Sequence, residues 1–269
     1  MTINSQPAMP DGSDLIQLAV SGSVAIVTIN RSDKRNAMSL AMWSAIPSIF
    51  ARLNADPTVR VVVLTGAGGN FSAGADIAEF GQVRATRAQA TDYELQVDAC
   101  CDAIMHSHKP TIAVVDGFCM GGGCHLAMSC DFRFAGEDAK FAIPAARLSV
   151  VYGTSGTKKL LALVGLSEAK RILYSGAQFD AAHGRGSGFV DDVAAQPMTS
   201  ALAFAKTLAS NAPLSISGAK GMLNALAMGD GALDPVQAEQ WIDAAADSED
   251  YREGRLAFVE KRKPVFTGR

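Results

Sequence analysis

Residues 109–131 read KPTIAVVDGFCMGGGCHLAMSCD. Within them Thr111 to Val115 forms a β-rich run, opened by Pro110 and closed by Asp116-Gly117. A near-continuous apolar run of that length suits a strand buried on both faces, as in a parallel sheet. Gly121-Gly122-Gly123 then precedes a helical stretch that holds Cys124 to Cys130. Three glycines before a helix let the backbone approach a ligand closely and aim its free N–H groups at negative charge. A pair of such groups would make an oxyanion hole. Tight helix packing or an ordinary turn remains the competing reading for this segment alone.

The same grammar recurs upstream. Val61-Val62-Val63-Leu64 is bounded by the turn region Gly66 to Gly69, and the glycine-containing segment Phe71-Ser72-Ala73-Gly74-Ala75-Asp76 follows it. Open α/β folds place ligands in the loops after such strands. Asp76 is also suited to cap a helix. Leu15 to Val20 and Val24 to Ile29, separated by Ser21-Gly22-Ser23, predict a hairpin. Met42, Ile46, Ile49, Phe50 and Leu53 recur at helical intervals behind Ser39, a suitable N-cap. Further helical stretches cover about Asp92 to His106 and the residues after Gly123. Alternation of this kind predicts an α/β fold with largely parallel strands. From Thr199 to Lys263 the periodicity is helical, with breaks near Ala212-Pro213 and Gly229-Asp230-Gly231. The expected division is a flexible N-terminus over 1–13, an α/β core over 14–198 and a helical region over 199–269.

With 269 residues, 48% hydrophobic and 19% charged, the chain has the balance of a soluble globular protein. A formal charge of −3 gives no electrostatic reason to expect nucleic acid. No apolar run approaches the roughly 18 residues of a membrane span, and residues 1–14 lack a signal-peptide pattern. A cytoplasmic protein is expected. The five cysteines then read as reduced thiols. Cys119, Cys124, His125 and Cys130 lack paired zinc-site spacing, and no metal is expected. The P-loop pattern is absent, and Gly184-Arg185-Gly186-Ser187-Gly188 does not complete a dinucleotide fingerprint. Gly153-Thr154-Ser155-Gly156 has the wrong spacing for a nucleophile elbow.

Five segments in order carry a specific resemblance: NRSDKRNAM (30–38), FSAGADI (71–77), KPTIAVVDGFCMGGGCHLAMSCD (109–131), the loop 141–156, and AFVEKRK (257–263). Together they span roughly 14–269, and the chain resembles the crotonase family, the enoyl-CoA hydratase/isomerase superfamily. The resemblance implies a spiral of ββα units with a C-terminal helical trimerisation region, and a homotrimer or a hexamer built as a dimer of trimers. It implies an acyl-CoA substrate, as in fatty acid metabolism, with coenzyme A arriving as part of the substrate and no tightly bound cofactor. By similarity, the N–H groups of Ala75 and Gly122 form the oxyanion hole. Lys34, Arg35, Ala73, Asp76, Ile77, Phe258 and Lys261 match positions around the substrate and its CoA portion, and Arg147 and Tyr152 lie in the loop lining the pocket.

The resemblance breaks at the proton carriers. A hydratase of this family uses two glutamates, since adding water across a double bond requires a proton to be handled at each end. Here those positions are His125 and Ala145, and Gly153 stands where some relatives place an acid. His125 is either an acid/base group, as its place in the motif suggests, or a histidine fixed by hydrogen bonds beside the pocket. His106 and His108 read as capping or surface residues at a helix end, and His183 as remote. The expected function is an enzyme that stabilises a thioester enolate, its reaction left open. The alternatives are a non-catalytic acyl-CoA-binding protein that lost its acids, and an oligomeric scaffold without ligand.

Overall fold

The computed structural model describes residues 15–228 and 234–269. The expected flexible segment 1–13 and the break at Gly229-Asp230-Gly231 lie outside the described residues. The predicted hairpin is strand β1 (Ile16–Ser21) paired antiparallel with β2 (Val24–Ile29). Ser21 faces Val24 across a tight turn, in which Gly22 takes φ 60°, a left-handed conformation that glycine adopts without a Cβ penalty. Strands β3 (Val61–Gly66), β4 (Thr111–Val115), β6 (Phe132–Gly136) and β9 (Asp192–Ala194) extend the sheet in parallel, in the order β1-β2-β3-β4-β6-β9. A second sheet joins β5 (Phe118–Met120), β7 (Lys140–Ala142) and β8 (Phe179–Asp180) in that order. These short strands have too little apolar patterning to be distinguished from loops in the sequence.

The continuous apolar runs are explained by burial on both faces. Along β3, Val62 and Leu64 enter the main core while Val61 and Val63 enter a second core on the opposite face. In β4 the same split separates Ala113 and Val115 from Ile112 and Val114. Side chains alternate across a strand, so a sheet covered on both sides needs an apolar residue at every position. Each Val or Leu fully buried this way stabilises the fold by about 1.5–3 kcal/mol.

Helix α1 (Leu40–Ala55) begins at Ser39, whose side chain accepts from the Met42 N–H as the sequence predicts. After α2 (Phe80–Val83), α3 (Arg87–Met105) starts five residues before the expected Asp92, because Thr86 and Gln89 form a reciprocal capping box. Its buried side, from Tyr93 to Met105, packs beside α1 in the main core. Helix α4 (Gly122–Ser129) follows the triple glycine, and α5 (Thr154–Ser175) and α6 (Ala181–Ser187) complete this part. In the C-terminal tract, α7 (Pro197–Ala209) covers the second face of the sheet through Ala201 and Ala205. Helices α8 (Pro213–Met228), α9 (Pro235–Ala246) and α10 (Glu249–Glu260) follow. No helix among the described residues is long and apolar enough to cross a membrane. All five cysteines are buried free thiols.

Candidate active site

The loops that leave β3 and β4 are held side by side by backbone hydrogen bonds. Ser72 N–H donates to Phe118 O (2.9 Å) and Met120 N–H to Ser72 O (2.9 Å). On the other flank, Met38 N–H donates to Gly74 O (2.7 Å) and Asp76 N–H to Met38 O (2.9 Å). Asn36, fully buried at φ 57°, fixes the start of this assembly. Its Nδ2 donates to Ala67 O (2.8 Å) and Asn70 O (2.6 Å), while its Oδ1 accepts from Arg31 N (2.8 Å). Asn36→Leu leaves two carbonyls and an N–H without partners and puts a branched side chain at positive φ. The expected loss is about 2–4 kcal/mol of stability, read from urea denaturation; a loss within error of zero would show that water replaces these bonds.

This pairing brings Gly74-Ala75 against Gly121-Gly122. Gly74 has φ 93°, and a Cβ on it would lie 2.6 Å from Met120 O and 3.2 Å from Gly122 N. A Cβ on Gly122 would lie 3.5 Å from Ala75 N. The Ala75 and Gly122 amides are therefore neighbours, and among the described residues neither has a hydrogen-bond acceptor. Gly122 also opens α4, where amides have no intrahelical partner and the helix favours negative charge.

Both amides border a cavity whose walls come from α1, α3, α4 and the loop 143–153. Trp43 and Tyr93 form its rigid side: the indole Nε1–H donates to the Tyr93 hydroxyl (2.9 Å). Burial pushes the Tyr93 phenol up to about 12, so it stays protonated. Opposite, the Tyr152 hydroxyl donates to Gly121 O (3.2 Å), and burial raises its pKa well above the ordinary phenol range.

His125 lies in the floor, 4% exposed. Its Nε2 faces Lys159 Nζ at 3.3 Å and Ser155 Oγ at 3.4 Å, and the Cys101 thiol hydrogen-bonds the same ring. The Lys159 ammonium, 2% exposed, also reaches Ser155 Oγ (3.0 Å) and Asp102 Oδ1 (3.3 Å).

Two carboxylates that the motifs did not single out line the same cavity, Glu94 and Asp98, one turn apart on α3. Arg84 Nη2 holds Glu94 Oε1 at 2.6 Å and is itself stacked over the Phe80 and Tyr93 rings, 5.1 and 5.5 Å from their centroids. Burial raises the Glu94 carboxyl above its ordinary range against the opposing pull of Arg84, with Asp98 adding to the rise. Burial raises Asp98 as well.

The remaining expected residues separate into two groups. Ala73, Ile77, Ala145, Tyr152 and Gly153 border the cavity. Lys34 and Arg35 are exposed beside it, with Arg35 O accepting from Ala73 N (2.9 Å) and its guanidinium over the Phe118 ring. Asp76 instead pairs with Arg31 Nη1 (2.7 Å) and accepts from Ala78 N (3.1 Å), the capping role its sequence position suggested. Arg147 is exposed and turned to Ser175 O at the end of α5. Phe258, 85% exposed, lines a separate groove along α10, and Lys261 ends that helix in a left-handed conformation. His106 caps α3 through Asp102 O, and His183 pairs with Glu168 on the surface.

The geometry has recognisable relatives. The enoyl-CoA hydratase/isomerase family model matches residues 19–269. The 2,3-dehydroadipyl-CoA hydratase of Escherichia coli is 34% identical over 253 residues, covering 91% of this chain and 96% of that protein. The short-chain-enoyl-CoA hydratase of Clostridium acetobutylicum is 32% identical over 247 residues, covering 90% and 93% respectively. The crystal structure of an enoyl-CoA hydratase/carnithine racemase from Magnetospirillum magneticum superposes with a TM-score of 0.90 at 35% identity, over 95% of this chain and 96% of that one. The chain belongs to the enoyl-CoA hydratase/isomerase family and has the crotonase fold. It is an enzyme of that family.

Proposed function

We propose that this enzyme binds a short enoyl- or acyl-CoA and catalyses hydration or isomerisation through a thioester enolate, the Ala75 and Gly122 amides holding the enolate oxygen. The observation that carries this reading is the pair of neighbouring, unpartnered amides on the cavity wall. Fixed donors aimed where charge develops lower the barrier because they need no reorganisation during the reaction. The hydratase names of the two relatives support the same chemistry. No resident cofactor is needed: coenzyme A arrives with the acyl group.

Crotonyl-CoA is the direct test. Calorimetric binding together with disappearance of the enoyl thioester supports the reading. Binding without turnover leaves a non-catalytic acyl-CoA-binding protein, and no binding removes the thioester assignment altogether.

Lys34 and Arg35 provide exposed positive charge at the cavity edge for the CoA phosphates. Arg35→Glu is expected to raise KM for crotonyl-CoA roughly tenfold at low salt with kcat little changed, the difference shrinking as salt screens the charge. An unchanged KM across the salt series would remove Arg35 from the CoA path. The oligomer is part of the same proposal. Exposed Leu223, Leu226, Phe258 and Val259 are apolar surface that a trimer, alone or paired as a hexamer, would cover. Light scattering on the purified chain reads its mass.

A further inference from the structure

We propose that the proton carrier of this enzyme is Glu94, a carboxylate supplied from helix α3 to a pocket whose two expected glutamate positions hold His125 and Ala145. The inference rests on the thioester-enolate reading above and adds the group that moves the proton.

Three observations point to Glu94. The first is position. A Cβ built on Gly153 would stand 3.9 Å from Glu94 Oε2, an ordinary van der Waals contact, so a carboxylate from the opposite wall borders the space that glycine leaves open in the 143–153 loop. Glu94 borders the same cavity as the Ala75 and Gly122 amides.

The second is its setting. Arg84 grips Oε1 at 2.6 Å, and among the described residues nothing donates a hydrogen bond to Oε2. One oxygen is anchored and the other is available, which suits a base that must keep its place through repeated transfers. Burial and the Asp98 charge raise the Glu94 pKa above the ordinary carboxylate range while Arg84 opposes the rise, the direction a general base working near neutral pH needs.

The third is the condition of the obvious competitor. His125 Nε2 is engaged by Lys159 and Ser155, and Cys101 bonds the same ring, so its described polar contacts lie in the interior. These contacts hold the ring in the pocket floor, whereas Glu94 borders the cavity with an oxygen that accepts no hydrogen bond among the described residues.

The step balances without a co-reactant. The Glu94 carboxylate takes a proton from Cα of the acyl thioester. The C–H electron pair becomes the C=C of the enolate, and the carbonyl π pair moves to the oxygen held by Ala75 and Gly122. The Glu94 carboxylic acid then returns the proton to Cα, giving exchange, or, from a β,γ-enoyl thioester, to Cγ, giving isomerisation. In the latter case the β,γ π pair forms the new C–H bond, the enolate C=C pair becomes the α,β double bond and the carbonyl re-forms. An α,β-enoyl such as crotonyl-CoA runs the same steps in reverse from Cγ.

The test uses the full chain, with butyryl-CoA in D2O read by mass spectrometry, crotonyl-CoA turnover, and calorimetric binding of butyryl-CoA. Glu94→Gln, nearly isosteric, is expected to bind butyryl-CoA within about twofold of wild type but to lose about a hundredfold or more of exchange and turnover. Glu94→Asp should recover part of that loss, because it keeps the carboxylate. His125→Gln should retain more activity than Glu94→Gln, and Asp92→Asn, on the exposed side of α3, should match wild type. Wild-type exchange rates in Glu94→Gln, or loss of exchange in His125→Gln with Glu94→Gln active, would overturn the assignment while leaving the thioester reading intact. Wild-type binding with neither exchange nor turnover would also overturn it. Failure of the wild type to bind removes the thioester reading and Glu94 with it.

Discussion

Gly122→Val is expected to reduce crotonyl-CoA turnover by about a thousandfold in a protein that still folds. A Cβ at this position would sit 3.0 Å from Trp43 Cζ2 and 3.1 Å from Cη2. Trp43 cannot swing aside easily: it is fully buried and its indole N–H is held by Tyr93 at 2.9 Å. The first turn of α4 must therefore move, and it carries the Gly122 amide away from the Ala75 amide. Losing one donor of such a pair costs about 10²–10³ in rate. Overpacking of a buried contact typically costs about 1–3 kcal/mol, so a lowered melting temperature should accompany the loss without abolishing folding. The exposed cations proposed for CoA, Lys34 and Arg35, are not among the atoms that a Cβ at residue 122 would meet, and thioester binding should weaken far less than kcat. Calorimetry and turnover on the same sample separate the two effects, and a variant with full turnover would remove Gly122 from the oxyanion site.

The parts of this site carried by the backbone were legible in the sequence, because their chemistry needs particular residue types at particular places. Buried parallel strands require uninterrupted apolar runs, as at Val61 to Leu64 and Thr111 to Val115, and glycines must stand where two loops touch. Gly74 and Gly122 satisfy that need: a Cβ on Gly74 would stand 3.2 Å from Gly122 N, and one on Gly122 3.5 Å from Ala75 N. Ser39 was readable as a cap for the same local reason. The carboxylates were not. Glu94 and Asp98 sit in a helix whose polar residues look like an ordinary solvated face until α3 is docked against α1 and α4. Their i, i+4 spacing beside the core positions Tyr93, Val97 and Cys101 places them at the edge of the buried stripe. That is a signal, but thousands of surface helices share it. His125 presented the reverse difficulty: the sequence left it either an acid/base group or a histidine fixed by hydrogen bonds, and its neighbour Lys159 lies 34 residues away in sequence. Asp76 shows the same limit, since its partner Arg31 is 45 residues distant. Arg147, from within the pocket-lining loop, reaches instead to Ser175 O. Contacts across long separations are set by docking, and local periodicity carries no record of them.

Arg133→Leu should have the opposite profile to Gly122→Val, a large loss of stability with turnover per folded molecule unchanged. Arg133 is 2% exposed on β6, which pairs with β9, and is not among the residues that border the cavity. Its Nε donates to Phe189 O (2.7 Å), Nη1 to Cys130 O (2.9 Å) and Nη2 to Asp191 Oδ2 (2.6 Å). Leucine would fill much of the space but satisfy none of these acceptors. The Asp191 carboxylate keeps one donor, the Arg133 backbone N–H at 2.7 Å, and is 34% exposed, so water can recover part of its loss. The Phe189 and Cys130 carbonyls lie against residues 0% and 4% exposed, where water has little access. Removing one partner of a buried ionic network costs about 3–5 kcal/mol, and the partial exposure of Asp191 favours the lower half of that range. Urea unfolding should show the midpoint fall with the slope preserved. A change under about 1 kcal/mol would mean that the carbonyls find other donors and that the seam is held by the β6–β9 ladder alone. Together the two variants separate the parts of the molecule: the network at Arg133 ties β6 to the chain that enters β9, and the lack of a side chain at Gly122 lets α4 start against Trp43 with its first amide beside that of Ala75.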